Sequence, residues 1–404
     1  MLALAHPANH GHGVVRVYRY RLYPTRAQAS AMVETLDRLR ELYNAALQHR
    51  RDAYRHHGAT VSAYAQMSEL RGVREVRPEY AAIHTHLLQD AITRLDRAYR
   101  AFFRRVKSGD KPGFPRFKGR GRYRTFTFKD AVNHNGVRLG TGGRRGKRVK
   151  LAGIGNVKIK LHRPVEGRIK QASVTLGGDG HWYIAFACDG VAAQSLPKTG
   201  KSVGIDVGIA TFAALSDGAM VANPRHDECA QAALAVAQRR VSRRKRGSQR
   251  RRNAVHLLAK RHDKVRRVRL DFHHKTALAV VRGFDSIAVE DLNVKGLAQM
   301  RLAKQVHDAA WAQFTTILEA KAESAGREFF RVDPRGTSQE CSGCQATVRK
   351  GLHVRVHACP HCGLVLDRDV NAANNVRARA EPSGRVRDVS SEDPRSPYVA
   401  VRGR

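Results

Sequence analysis

Four cysteines near the carboxyl end of the 404-residue chain fall in two pairs, Cys341-Ser-Gly-Cys344 and Cys359-Pro-His-Cys362. Each C-x-x-C pair turns tightly enough to present two thiolates to one ion. Two pairs complete a tetrahedral sulfur shell with no open position, so one structural Zn2+ is the expectation. The intervening loop, residues 345–358, is slightly shorter than the commonest ribbon spacing; it carries Arg349, Lys350 and Arg355 among the apolar Val348, Leu352 and Val354. Gly343 and Gly363 stand where such knuckles need small residues. The competing reading is two disulfides in a secreted protein. Only six cysteines in the chain, and an opening segment (residues 1–13) without the apolar core of a signal peptide, argue against it. Cys188 and Cys229 are left over and read as buried thiols.

The second pair runs into acids, in Asp367-Arg-Asp369-Val-Asn-Ala-Ala-Asn-Asn375. Two further acids interrupt apolar strands: Asp206 within Val203-Gly-Ile-Asp-Val-Gly208, and Glu290 with Asp291 after Ser286-Ile-Ala-Val289. An ionised side chain in a buried strand is costly unless a cation sits beside it, and a structural salt bridge is an equal reading of Asp206 taken alone. Three carboxylates on separate elements, each where burial should forbid one, point instead to a shared divalent metal. Hard oxygen donors select Mg2+ or Mn2+. Two such ions can activate a water and stabilise the leaving oxygen of a phosphodiester. A carboxylate triad on a mixed sheet is the ribonuclease-H-like arrangement.

The charge balance agrees. Lys and Arg number 74 against 35 Asp and Glu, a formal net charge of +39. Self-repulsion opposes compaction, so such an excess implies a polyanionic partner, nucleic acid first. No apolar run is long enough to span a bilayer, so no membrane partner is expected. The expected location is cytoplasmic, and nucleoid-associated when the protein is bound to DNA.

The elements that must position these groups are legible in outline. Residues 14–23 alternate as a strand that Pro24 ends, and Thr25-Arg-Ala-Gln28 resembles a capping box opening a helix. Met32, Leu36, Leu39, Tyr43 and Leu47 form its core stripe, and a second helix is predicted over about residues 85–106 through Leu88, Ala91, Leu95, Ala98 and Phe102. Residues 107–124 interleave basic side chains with Phe114, Phe117 and Tyr123, a pattern for phosphates and stacked bases or a solvated basic loop. Short Val- and Ile-rich runs at residues 149–151, 157–161, 169–176 and 182–188 predict a small β-barrel or sandwich, joined by the first strand. Residues 194–201 read as a linker. Residues 239–269 are roughly half Lys and Arg, including Arg243, Arg244, Lys245, Arg246, Arg250, Arg251 and Arg252. They form either a solvated helical hairpin or a nucleic-acid-facing helix, and the shortage of acids favours the second.

These pieces together resemble the transposon-encoded TnpB (OrfB) family, relatives of the type V CRISPR nucleases. The matching segments are Arg21-Leu-Tyr-Pro-Thr25, Gly113-Phe-Pro-Arg-Phe-Lys118, Gly204-Ile-Asp-Val-Gly208, Val289-Glu-Asp-Leu-Asn293, the four cysteines and the residue 367–375 motif, in family order over nearly the whole chain. The resemblance implies an RNA-guided DNA endonuclease with two Mg2+ (or Mn2+) ions on Asp206, Glu290 and Asp369, and with Asp291 and Asp367 as outer acids. It implies an α+β multidomain fold. A wedge β-barrel (residues 1–24 and 123–193) is split by a helical recognition domain (25–122). A RuvC-like, RNase H-like α/β nuclease domain follows (201–337 and 367–380), with the zinc ribbon (338–366) inserted. By its own composition, rich in Pro, Ser and charge, the tail (381–404) reads as disordered. The partners implied are a guide RNA from the transposon end and a double-stranded DNA target bearing a short adjacent motif. Gln89, Arg116, Phe117 and Lys118 join the basic residues above as nucleic-acid contacts. Two other classes use similar residues: a strand-transfer transposase, and a non-catalytic RNA-guided DNA-binding regulator. An intact triad argues against the second.

Overall fold

The structure, a computed structural model, describes residues 14–131, 133, 135–140, 146–293, 303–351 and 353–380, in two compact units, Met1–Ala192 and Ala193–Arg404. The expected disordered tail and the ribbon's Leu352 lie outside the described residues.

The first unit opens with β1 (Val14–Tyr23), followed by α1 (Arg26–His57), α2 (Ala63–Ser68), α3 (Leu70–Val76), α4 (Pro78–Ala81) and α5 (Thr85–Lys107). Six strands follow: β2 (Thr125–Phe128), β3 (Val137–Leu139), β4 (Arg148–Leu151), β5 (Gly155–Lys160), β6 (Arg168–Leu176) and β7 (Trp182–Val191). They form one antiparallel sheet in the order β2-β6-β7-β1-β5-β4-β3, so the first strand sits in its middle. Tyr18, Tyr20 and Leu22 face Phe186, Ile184 and Trp182 across the ladder and are buried, while Val15 and Val17 point to solvent. Thr25 and Gln28 make both bonds of the capping box, which fixes where α1 leaves the strand. All five predicted stripe residues of α1 are buried, as are Leu88, Ala91 and Leu95 of α5; Ala98 and Phe102 are half-buried. Helices and sheet share one apolar core.

Two details differ from expectation. Strands β2 and β3 were hidden by their arginine-rich surroundings and shortness. The sheet also curls without closing its ladder: Gly136 lies so near Phe128 that a Cβ there would stand 2.6 Å from the ring, yet β2 and β3 do not pair among the described residues.

In the second unit, β8 (Ser202–Val207), β9 (Thr211–Leu215), β10 (Met220–Ala222), β11 (Ser286–Glu290) and β12 (Glu328–Val332) form a mixed sheet in the order β10-β9-β8-β11-β12. β8, β11 and β12 are parallel; β9 runs against them, and the edge strand β10 runs against β9. This is the ribonuclease-H-like topology. Among the described residues the helices are α6 (His226–Ser242), α7 (Gln249–Gly283), α8 (Ala303–Ala309), α9 (Trp311–Ser324) and α10 (Arg368–Ala380), with a small hairpin of β13 (Val356–Ala358) and β14 (Val365–Asp367) before α10. Because side chains alternate along a strand, the sheet has two different faces. Val203, Ile205, Ile287 and Val289 pack with Val280 and Val281 of α7 and with Phe314 and Leu318 of α9. Ala288 and Val332 lie on the other face with Val376 of α10.

His273 of α7 is fully buried, stacked on Phe212, with Nε2 and the Ala309 carbonyl 3.0 Å apart. Burial pushes its pKa down to about 4, from an ordinary value of 6.5. The unfolded chain therefore takes up a proton that the fold excludes. Stability is unaffected above pH 6.5 and falls as pH drops from 6.5 to 4, by on the order of 2–3 kcal/mol in all. His273→Phe should flatten this part of the acid limb, read as the difference in melting temperature between pH 7 and pH 5. An equal acid loss in parent and variant would contradict the assignment.

Candidate metal centres

Asp206 and Glu290 owe their meeting to strand register. Ile205 lies opposite Val289 in the parallel β8–β11 ladder, so Asp206 and Glu290 are each one step further on, at the carboxyl ends of adjacent strands. Both point to the face that α10 covers. Small residues line that face: Gly204 lies opposite Ala288, and Asp206 opposite Ala214. They let the helix backbone lie directly on the sheet. A Cβ on Gly204 would stand 2.0 Å from the Ala373 carbonyl oxygen. This close approach brings Asp369, in the first turn of α10, near enough for its charge to act on Asp206.

The neighbouring acids have other work. Asp367 Oδ1 accepts from the Asp369 and Val370 amides at 2.8 and 3.3 Å, capping α10. Asp291 is exposed and lies 3.7 Å from Arg331.

The charges of the trio are poorly balanced. Burial holds the Asp206 carboxyl well above the usual range. The Glu290 and Asp369 charges push it the same way and outrank the relief from Arg368, so a structural salt bridge does not account for Asp206. Burial also raises Glu290, against the hydroxyl of Thr337, 2.6 Å from Oε1, and the charge of Arg379. Asp369 is raised by burial and by Asp367, against Arg355, 3.8 Å away, and Arg368. Three acids held together against their repulsion suit a cation, and all-oxygen donors suit Mg2+ or Mn2+. Among the described residues, the cysteines are the one set of three or more potential ligands whose donor atoms all lie within 4.8 Å of one another. The three carboxylates do not all lie within that limit.

Cys341, Cys344, Cys359 and Cys362 converge as their spacing predicts. Sγ of Cys341 and Cys362 are 3.6 Å apart, as are those of Cys344 and Cys359. These separations fit the edges of a tetrahedron with Zn–S near 2.3 Å and are far beyond a disulfide's length of about 2.05 Å. Each knuckle closes on a backbone bond, Gln345 N to Cys341 O and Gly363 N to Cys359 O. The residue making that bond has a left-handed φ in both, +64° at Gln345 and +74° at Gly363. Cys341→Ser should release the zinc and loosen the ribbon. One zinc per chain still bound after that change, by elemental analysis, would contradict the site. Of the leftover cysteines, Cys188 is buried, with its thiol pushed up to about 11 by burial. Cys229 is exposed, because α6 buries little beyond Ala237.

Several residues of the 367–375 motif have roles that the motif itself does not announce. Asn371 and Asn375, one turn apart on α10, donate to the Glu340 carbonyl at 2.8 Å each; Asn375 also reaches the Thr337 carbonyl, and Asn371 accepts from the Ser342 amide. Arg368 is buried and donates to the ribbon carbonyls of Gly351 and Val354. Two asparagines a turn apart inside a helix were the available signal, since Asn favours caps and turns.

The basic residues divide. Arg243, Arg244, Lys245 and Arg246 form the turn between α6 and α7, and Arg240, Arg244, Arg250 and Asn253 line a depression of about 450 Å³. Arg251 instead closes the end of α6 by donating to the Val241 carbonyl, and Arg252 donates to that of Gly247. In the first unit, Phe117 is exposed beneath the Arg51 guanidinium, Arg116 is exposed, and the Asn44 side chain clamps the Lys118 backbone through two bonds. Tyr123, expected to offer its ring to a base, is buried beside Tyr43 instead. Gln89 is half-buried on α5.

Three families match parts of the chain. They are described as "Probable transposase" over residues 185–301, "Cas12f1-like, TNB domain" over 311–376 and "Helix-turn-helix domain" over 14–59. The last span is here one strand and one continuous helix. A protein of Streptomyces pristinaespiralis named "Putative RNA-guided DNA endonuclease" is 32% identical over 379 residues, covering 90% of this chain and 89% of that one. "Putative RNA-guided DNA endonuclease InsQ" of Escherichia coli (strain K12) is 28% identical over 308 residues, covering 72% and 73%. A solved structure, "Cryo-EM structure of the Cas12f1-sgRNA-target DNA complex", aligns with a TM-score of 0.54 at 14% identity, over 87% of this chain and 82% of that one, a likeness of fold. With nearly all of both chains shared with the Streptomyces relative, the protein belongs to the TnpB (OrfB) family of transposon-encoded proteins, which is related to the type V CRISPR effectors.

Proposed function

We propose that the protein is an RNA-guided DNA endonuclease that hydrolyses phosphodiester bonds at the Asp206–Glu290–Asp369 site. The observation that carries this is the convergence of three under-neutralised carboxylates at the carboxyl edge of one sheet face. The names of its relatives support the guide and the DNA target. Bound Mg2+ would supply Lewis acidity toward a water and toward the departing oxygen.

The chain's residues do the rest. Asp206, Glu290 and Asp369 would together hold the metal, and Asp206 feels the charge of both other acids. Arg355, 3.8 Å from Asp369, is placed to receive the phosphate of the strand being cut. No side-chain nucleophile is needed.

The basic turn at residues 243–246, Arg250 and the loop carrying Arg116, Phe117 and Lys118 supply contacts to nucleic-acid backbone and bases. The guide RNA comes from the transposon end, and Gln89 lies near the duplex whose short adjacent motif is read. Among the described residues, no helix is long and apolar enough to cross a membrane.

The test is to purify the protein from its own locus, sequence the copurifying RNA and offer matched and mismatched duplex with Mg2+. Cleavage of matched duplex alone, leaving 5′-phosphates, is expected. Joined strands would indicate strand transfer, binding without cutting a regulator, and absence of RNA would overturn the guided reading.

A further inference from the structure

The zinc ribbon and the carboxylate site are joined by a continuous set of polar contacts through one short segment, residues 337–342. At one end the Thr337 side chain is almost fully buried, and its Oγ1 lies 2.6 Å from Glu290 Oε1. A hydroxyl has one proton; the Pro334 carbonyl, 3.0 Å away, is the weaker competitor because it is neutral and further off. At the other end Ser342 lies inside the first cysteine knuckle, and its amide donates to Asn371 Oδ1 at 2.9 Å. Between them, Asn375 holds the Thr337 and Glu340 carbonyls together, and Asn371 holds Glu340 a second time. Arg379 adds a bond to the Glu340 carboxylate at 2.6 Å.

Both asparagines are buried. Their bonds therefore form away from water, where an unmade bond is costly, and the segment has little freedom to shift. None of these residues would touch a metal or a phosphate. They determine where Glu290 points.

We propose that Thr337 is a positioning residue for Glu290, and that the zinc knuckle sets Thr337 in turn through Asn371 and Asn375. Zinc loading is thereby transmitted to the carboxylate site. This rests on reading the carboxylates as metal ligands, and partners of this outer kind typically govern metal affinity about 10–100-fold.

Mn2+ serves as the probe. Its binding to the full-length protein–guide RNA complex is followed by electron paramagnetic resonance, with the Asp206→Ala complex as blank for ions held by RNA. Thr337→Val should weaken the specific Mn2+ sites about tenfold or more while zinc content, guide affinity and melting temperature stay near parental. Thr337→Ser, which keeps the hydroxyl, should restore binding to within a few-fold. Asn375→Ala should weaken Mn2+ binding with zinc retained, and it keeps the test open should Thr337→Val fail to fold. Parental Mn2+ affinity in Thr337→Val, or failure of Thr337→Ser to recover it, would overturn the proposal. A parental complex that binds no more Mn2+ than the blank would instead overturn the metal-site reading beneath it.

Discussion

Asp206→Ala is expected to abolish cleavage of guide-matched DNA while leaving RNA and DNA binding intact. A site that loses one of its three carboxylates would forfeit most of the several kcal/mol that metal ions contribute to the transition state. At about 1.4 kcal/mol per factor of ten, this is about four orders of magnitude in rate. The same substitution should raise the melting temperature of the metal-free protein. Burial and two neighbouring acids disfavour the Asp206 charge in the folded state, so its removal relieves the fold. The two signs together are diagnostic. A carboxylate kept for structure would lower stability when removed and affect cleavage only in proportion. Rates by gel assay at saturating Mg2+, with melting curves in chelator, read both.

The second large effect needs no charged residue. Gly204→Ala places a methyl 2.0 Å from the Ala373 carbonyl oxygen and 2.5 Å from the Arg377 amide nitrogen, both on the backbone of α10. Backbone cannot rotate aside as a side-chain tip can, so the helix must lift from the sheet. Asp369 travels with it. Destabilisation of about 3 kcal/mol or more is expected, with near-complete loss of cleavage. Gly72→Ala makes the contrast. That glycine lies in α3 with open space at its Cβ position, and the change should stabilise by roughly 0.5–1 kcal/mol. A Gly204→Ala protein with parental melting and cutting would show that α10 does not rest on Gly204 as described.

What the sequence made legible was mostly local or chemically distinctive. The Thr25–Gln28 box and the helical stripes depend on neighbours within a few residues, so their period alone places them. The cysteine knuckles carry their ligand geometry in their spacing. Acids inside apolar strands stand out because burial penalises them. Long-range arrangement was less accessible. Alternation marks β1 as a strand, and the β-rich runs beyond the helices offered it a sheet to join, but not its neighbours within that sheet. Its central position appears only in the pairing with β5 and β7.

The misreadings share a cause. Tyr123 and Cys229 were assigned by residue type, whereas Tyr43 shelters the one and the thin contact face of α6 exposes the other. Thr337 was silent, and Asn371 and Asn375 were quoted only within a motif, because each works on groups far away in sequence. Gly204 was quoted as part of a motif, but its reason, the helix lying on it, exists only in three dimensions.

The most direct test of the metal-site account is anomalous diffraction from the protein–guide RNA–target complex crystallised with Mn2+. The account predicts two Mn2+ peaks about 3.5–4 Å apart, ligated by Asp206, Glu290 and Asp369, and a separate zinc peak within Cys341, Cys344, Cys359 and Cys362. No manganese between those carboxylates, or manganese ligated by Asp291 or Asp367 in their place, would contradict it.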